Sequence, residues 1–267
     1  MTRQMSRARY KGVWELAPGK FVYPQTDEYK ANGRKIAVKL GKLWSPPRYF
    51  YHYRDGGHIA ALRVHEPNEF KATIDLEAFF DHVTRTKVVR ALTKLGYRIG
   101  ERRRVSSESC VRKGHGHSIP YGFAQSPILA SICLDMSALG RSLRQIDEGD
   151  MEVAVYVDDI IISGNDREKL TATHQALLTA ARIAGFPANS NKSAPPRKSV
   201  RSFNIELTDK LEVTAAKFLA FQEDALLNRD TLRADAIAKY VTGVNTGQGD
   251  VVRRLAVSAP RPPPTHK

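Results

Sequence analysis

Residues 151–163 read Met-Glu-Val-Ala-Val-Tyr-Val-Asp-Asp-Ile-Ile-Ile-Ser, and two adjacent aspartates in so apolar a run need a structural reason. Ionised carboxylates are costly beside dry hydrocarbon unless something pairs with them. β-Branched residues at Val153, Val155 and Val157, and again at Ile160, Ile161 and Ile162, predict two strands. The economical arrangement is a β-hairpin with Asp158 and Asp159 at or beside its tight turn. Like charges so placed repel. A hard divalent ion such as Mg²⁺ relieves that repulsion, since it takes carboxylate oxygens and shares them with substrate phosphates. Asp is also a common turn former, so an ordinary surface turn is the competing account.

A third carboxylate weighs against the ordinary turn. In Phe70 to Phe80 (FKATIDLEAFF), Ala72, Ile74 and Leu76 alternate with Thr73 and Asp75. This predicts a short strand ending near Asp75, with helical sequence from Glu77. Two strands that each end in an aspartate, side by side in one sheet, bring Asp75 to Asp158 and Asp159. Three carboxylates meeting in one pocket hold two Mg²⁺ ions about 3.5–4 Å apart, the clamp used for in-line phosphoryl displacement. Taken alone, Asp75 would serve equally as an N-cap.

Two further stretches complete a series. Ile119 to Pro127 reads IPYGFAQSP and Gly185 to Ser193 reads GFPANSNKS. The chain thus carries Asp-x-x-x-Phe-Phe, Pro-x-Gly-x-x-x-Ser-Pro, Tyr-x-Asp-Asp and Gly-x-x-x-Asn-x-x-Lys in that order. This series resembles the reverse transcriptases, specifically the compact prokaryotic ones of the retron, group II intron and defence-associated lineages. The resemblance covers roughly residues 50–210. It implies an α+β right-hand polymerase: fingers, a palm built on a small antiparallel sheet backed by helices, and a short helical thumb. The corresponding ranges are 1–69 for the basic fingers, 70–84 for the first palm strand and 85–117 for a fingers insertion. The rest of the palm takes 118–209, the thumb 210–257, and 258–267 a disordered tail.

The same resemblance implies roles. Asp75 and Asp158 match the principal metal ligands, Asp159 is the less direct third, and the Leu76 carbonyl completes a metal site for two Mg²⁺ ions, with Mn²⁺ as the substitute. Phe80 stands where the family places an aromatic gate that leaves no room for a 2′-hydroxyl, while Phe79 is the alternative and one of the two is core. The Ala78 and Phe79 amides, at a helix start, hold the triphosphate. Lys192 matches the lysine that protonates departing pyrophosphate. Arg63 first, and Lys71 second, are the basic residues expected on a fingers hairpin, because Asp55-Gly56-Gly57 reads as a hairpin turn before a strand from His58 to His65. Tyr121 departs from the pattern: the family usually has Gln there, which offers an amide donor and acceptor where Tyr has a flat ring and one hydroxyl. Gly122 still permits close backbone approach. Ser126-Pro127 reads as N-cap and first helical position of an apolar helix, and Phe203 to Leu207 as the hairpin that grips a primer.

Composition agrees. The 267 residues carry a net charge of +14 and a pI near 9.8, pointing to a polyanionic partner. The first 63 residues hold 13 Lys/Arg against 4 Asp/Glu. Aromatics alternate with basic residues from Arg48 to Arg54, as suits stacking on bases, with two of the four Tyr and Phe residues expected to be structural. Cys110, His115 and His117 lack a fourth ligand and the usual zinc spacing. Two cysteines without framework spacing fit a reducing cytoplasm. The basic N-terminus lacks an apolar signal core, and no run is long enough to span a bilayer. Helices are expected over 212–227 and 230–244, with Asn245 to Asp250 as a turn, and no length remains for an endonuclease or maturase domain.

The expected activity is therefore RNA-directed DNA synthesis from a nucleic-acid primer and dNTPs, in an antiphage or retron-like setting with a non-coding RNA or accessory defence protein as partner. RNA-templated RNA synthesis, template-independent or protein-primed DNA synthesis, and a non-catalytic RNA-binding subunit stay open at this point.

Overall fold

Glu152–Tyr156 and Asp159–Gly164 form an antiparallel hairpin, and Phe70–Asp75 lies antiparallel beside its second strand. The structure, a computed structural model, describes residues 8–257; the tail read at 258–267 lies outside them. In chain order the described elements are β1 (Trp14–Ala17), β2 (Lys20–Val22), α1 (Asp27–Leu43), α2 (Gly57–Arg63), β3 (Phe70–Asp75), α3 (Phe79–His82), α4 (Arg85–Lys94) and α5 (Ile99–Ser109). They continue with β4 (Val111–Lys113), β5 (Gly116–Ser118), α6 (Ser126–Asp135), α7 (Ala138–Asp147), β6 (Glu152–Tyr156), β7 (Asp159–Gly164) and α8 (Arg167–Ile183). The chain then forms β8 (Ala194–Arg197), β9 (Val200–Ser202), β10 (Ile205–Leu207), β11 (Leu211–Val213), α9 (Ala215–Leu227), α10 (Leu232–Val244) and α11 (Thr246–Ala256). This is the expected α+β architecture.

The central sheet is four-stranded, ordered β6-β7-β3-β8. Strand periodicity divides its residues between two faces. Ala72 and Ile74 pair with Ile162 and Ile160, and all four enter the main core with Leu40, Leu92, Leu129, Leu143 and Leu177 from the surrounding helices. Each fully buried isoleucine there contributes about 1.5–3 kcal/mol. Thr73, one step along, pairs with Ile161, which joins a second core with Leu62, Val200, Ile205 and the three C-terminal helices. That second core covers one end of the opposite face. Asp75 and Asp159 sit at the other end.

Several local expectations are corrected. His58 to His65 is not a strand: Gly56 (φ 83°) and Gly57 (φ 53°) turn the chain into α2. Ala61 and Leu62 are consecutive and both fully buried, which a helix stripe allows and an alternating strand with one wet face does not. Asn245 to Asp250 is the first part of α11, whose N-cap Asn245 accepts a hydrogen bond from the Gln248 amide at 3.1 Å. Gly249 serves packing, since a Cβ there would lie 2.2 Å from Thr242 Oγ1. The N-cap of α6 is Gln125, not Ser126, so Pro127 occupies the second helical position. Of the four Tyr and Phe side chains at 49–53, three rather than two are structural: Tyr49, Phe50 and Tyr51 are buried and only Tyr53 is exposed. Phe203 to Leu207 does lie in a hairpin, with β9 and β10 joined at Phe203 and Asn204, both left-handed.

Candidate active site

The turn that carries the acids is tight. Tyr156 and Asp159 form the closing pair of the β6–β7 hairpin, leaving Val157 and Asp158 as its two central residues. Val157 has φ 61°, a left-handed conformation that costs a β-branched residue about 1–3 kcal/mol. Strain of that size persists only where surrounding contacts hold it.

Across the sheet, Asp75 is the register partner of Asp159, and the Leu76 amide donates to the Asp158 carbonyl at 2.9 Å. Directly opposed residues have Cβ atoms about 4.5–5.5 Å apart, and like charges so placed destabilise the pair. Burial, then the charges of Asp158 and Asp75, push the Asp159 carboxyl up to about 7. Asp158 is also raised, chiefly by burial, with the Asp75 charge adding to it. Asp75 and Asp159 line an open cavity of about 830 Å³ together with Lys192, Arg197, Arg201 and Phe203. Among the described residues, however, no three carboxylate, imidazole or thiol side chains are gathered closely enough to hold a metal ion. Asp75 and Asp159 face one another, and Asp158, adjacent in the chain, lies close enough for its charge to act on Asp159. The donor set still suits a hard cation: carboxylate oxygens whose crowding already raises the cost of ionisation. Cys110, His115 and His117 form no such group either.

The Gly185–Ser193 segment wraps the end of β3. The Glu77 amide donates to the Pro187 carbonyl, the Asn189 amide to the Asp75 carbonyl, and the Lys192 amide to the Asn189 carbonyl. The Asn189 side chain also accepts from the Asn191 amide, a local turn of the kind asparagine favours. This brings Lys192 Nζ to 3.6 Å from Asp75 Oδ2, with the lysine side chain 68% exposed. This exposed cation borders the acids, its charge acting on Asp158 and Asp159 as well.

On the other side of the acids, Phe79 is fully buried against Phe186. Phe80 stacks instead on Tyr121. Burial, then the charges of Asp158, Asp81 and Asp75, hold the Tyr121 hydroxyl up near 12, so it stays protonated. Gly122 has φ 95°, and a Cβ there would lie 2.9 Å from the Tyr23 carbonyl oxygen. The Ala78 and Phe79 amides stand at the start of the one-turn helix α3, with Ala78 left-handed at φ 43°.

Two expected triphosphate contacts are elsewhere. Arg63 Nη2 donates to the Gly243 and Val244 carbonyls at 2.9 and 3.3 Å, satisfying the C-terminal end of α10. Lys71 is buried at the far end of β3, four residues or about 13 Å from Asp75. Burial lowers its ammonium from the usual lysine range. The residue that does reach the site was missed. Lys20 Nζ lies 4.5 Å from the Tyr121 ring centroid, and its charge acts on Asp158. Lys113, paired with Asp81, lies 5.9 Å from the same ring. The Pro18-Gly19 dipeptide before Lys20, a turn signal between two short β-prone runs, could have found it.

Residues 26–221 match the profile of the family described as reverse transcriptase (RNA-dependent DNA polymerase). No curated protein sequence matches the chain. Among solved structures, telomerase from Candida albicans in complex with a fragment of telomeric RNA aligns with TM-score 0.52 and 12% identity, over 85% of this chain and 47% of that one. Apo telomerase from Candida tropicalis aligns with TM-score 0.51 and 11% identity, over 84% and 49%. The foamy viral protease-reverse transcriptase in complex with double-stranded DNA aligns with TM-score 0.50 and 18% identity, over 91% and 37%. At these identities the likeness is one of fold, and the chain spans less than half the length of each.

Proposed function

The chain belongs to the reverse transcriptase (RNA-dependent DNA polymerase) family, and from that premise we propose that it extends the 3′-hydroxyl of a nucleic-acid primer with dNTPs along an RNA template. The observation that carries this is the cross-strand pairing of Asp75 with Asp159 at the mouth of an open cleft. Structural ion pairs seldom set two carboxylates face to face, whereas phosphoryl transfer needs that concentration of hard oxygens.

In this reading Asp75 and Asp159, with Asp158 beside them and the Leu76 carbonyl, would hold divalent metal, two Mg²⁺ ions or Mn²⁺ in their place. Such ions, when bound, neutralise charge on the attacking and leaving oxygens. The protein's own groups do the rest. Lys192, beside Asp75, delivers a proton to the leaving pyrophosphate oxygen. Lys20 meets the triphosphate from the β1–β2 hairpin, replacing Arg63 and Lys71 in that role, and the Ala78 and Phe79 amides offer donors on the same side. Phe80, backed by Tyr121, closes the space a 2′-hydroxyl would need, and Gly122 lets the backbone come close to the nucleotide.

The wider reading keeps the divisions given above, with Trp14–Val22 as the finger that reaches the nucleotide, the central sheet as palm and α9 to α11 as thumb. Net charge of +14, with Arg103 and Arg104 exposed on α5, supports a nucleic-acid partner. The order of the four motifs supports a reverse transcriptase core; a compact prokaryotic lineage and an antiphage or retron-like setting in the cytoplasm, with a non-coding RNA or accessory defence protein as partner, rest on lineage resemblance alone. Among the described residues, no helix is long and apolar enough to cross a membrane.

The test is dNTP incorporation on a primed RNA template by wild type, Asp75→Asn and Asp158→Asn. Both variants should lose incorporation while keeping the wild-type circular dichroism spectrum. Wild-type rates in both would defeat the assignment.

A further inference from the structure

We infer that His52 is a positioning residue for this reaction, a half-buried latch that holds the turn bearing Asp158 against helix α6 and so sets the aim of the aspartates. This rests on the function proposed above. The Val157 amide donates to His52 Nδ1 at 3.2 Å. On the opposite side of the ring, His52 Nε2 lies 2.9 Å from Ser131 Oγ on α6. Ser131 spends its own proton on the Pro127 carbonyl at 3.0 Å and accepts from the Tyr53 hydroxyl at 3.2 Å. With that proton committed, the network admits one tautomer: Nε2 donates to Ser131 and Nδ1 accepts from Val157. The 3.4 Å approach of Nδ1 to the Val155 carbonyl is then a contact and not a bond.

The partner of this latch is the strained residue of the turn. Val157, at φ 61°, occupies a conformation that glycine adopts freely and a β-branched residue resists. Released from the imidazole, the turn can relax toward ordinary valine geometry. Asp158 follows directly in the chain, and Asp159 closes the turn opposite Asp75. The segment before His52 is itself tied to the hairpin, because the Val155 amide donates to the Tyr49 carbonyl at 2.7 Å. The imidazole's hydrogen bonds go to the Val157 amide and to Ser131, not to an aspartate side chain. It acts through backbone.

A histidine that merely filled space and a histidine that holds this turn differ in what glycine at 157 does. Four full-length proteins separate them: His52→Ala, His52→Gln, Val157→Gly and the His52→Ala/Val157→Gly double variant. Amide hydrogen exchange at residue 157 is followed without substrates, and kcat and KM for dNTP on a primed RNA template. His52→Ala should speed exchange at Val157 about tenfold or more and lower kcat about 10–100-fold with KM nearly unchanged. His52→Gln, whose amide can accept and donate in the same directions, should retain most of both. In the Val157→Gly background, His52→Ala should cost little kcat. Wild-type exchange and kcat in His52→Ala would overturn the latch, as would an equal kcat loss in the valine and glycine backgrounds. Should the wild type incorporate no nucleotide, the functional reading fails alone, and exchange at Val157 still decides the latch.

Discussion

The rings of Phe80 and Tyr121 are stacked, with centroids 4.6 Å apart and planes inclined by 7°. The pair joins the residue expected to exclude a 2′-hydroxyl to the residue at which this chain departs from the motif it otherwise follows. Stacked aromatic pairs contribute about 0.5–1.5 kcal/mol beyond their buried area, enough to restrict the Phe80 ring to one orientation. Tyr121→Ala should therefore let Phe80 rotate and raise the ratio of ribonucleotide to deoxynucleotide kcat/KM about tenfold. Tyr121→Phe keeps the stack and should keep the ratio. Steady-state incorporation of each nucleotide class measures both, and an unchanged ratio in Tyr121→Ala would mean the stack gives the gate no support.

Lys20 and Arg63 should behave oppositely. Lys20→Ala removes an exposed ammonium beside Tyr121 and Asp158 and should raise the KM for dNTP about 3–10-fold with the melting temperature unchanged. Arg63→Ala unties α2 from the end of α10 and should lower the melting temperature with little effect on KM. Kinetics and a thermal melt on each protein suffice.

The Asp159 carboxyl predicts a pH dependence with a definite sign. Its folded value is about 7 against 3.8 for the free side chain, so between those values the folded chain keeps a proton that the unfolded chain releases. Stability then falls as pH rises from about 4 to 7, and the loss is complete above that. Asp159→Asn should therefore raise the melting temperature of metal-free protein by about 3–6 °C near pH 8. The gain should fade toward pH 4. A melting series in a chelating buffer measures it, and a gain that grows on acidification would contradict the placement of the acids.

Gly122→Ala should be poorly tolerated. The residue has φ 95° and its Cβ would press on the Tyr23 carbonyl at 2.9 Å, while the neighbouring Tyr121 carbonyl accepts from the Tyr23 amide at 2.8 Å. Strain at φ > 0 and the backbone clash together should cost about 1–3 kcal/mol, read as a lower denaturation midpoint. Loss of dNTP affinity should accompany it, because the same contact positions β2 and Lys20.

Much of this site was legible because its signals are local. Alternation at 70–76, the β-branched runs around Asp158 and the two-residue turn each depend on neighbours within a few positions. A sheet's register then makes one consequence non-local, the facing of Asp75 and Asp159. Local reading failed where the deciding contact was distant. His58 to His65 offered a plausible hairpin turn, but burial of both Ala61 and Leu62 is a property of what packs on them. The glycines at 247 and 249 looked like a turn, yet Gly249 is small because Thr242 lies against it.

The strands around the acids could be read from residue order alone, since strand period and turn chemistry act along the chain and leave few alternatives. Which cations and which imidazole stand near those acids followed from packing between distant segments. A lysine or histidine bears no mark of its partner. Lys20 reaches Tyr121 because the β1–β2 hairpin folds back on it, with Tyr23 donating to the Tyr121 carbonyl. His52 reaches Val157 because the segment before it runs along the edge of β6. Both depend on where distant segments come to rest, and burial of the whole core sets that.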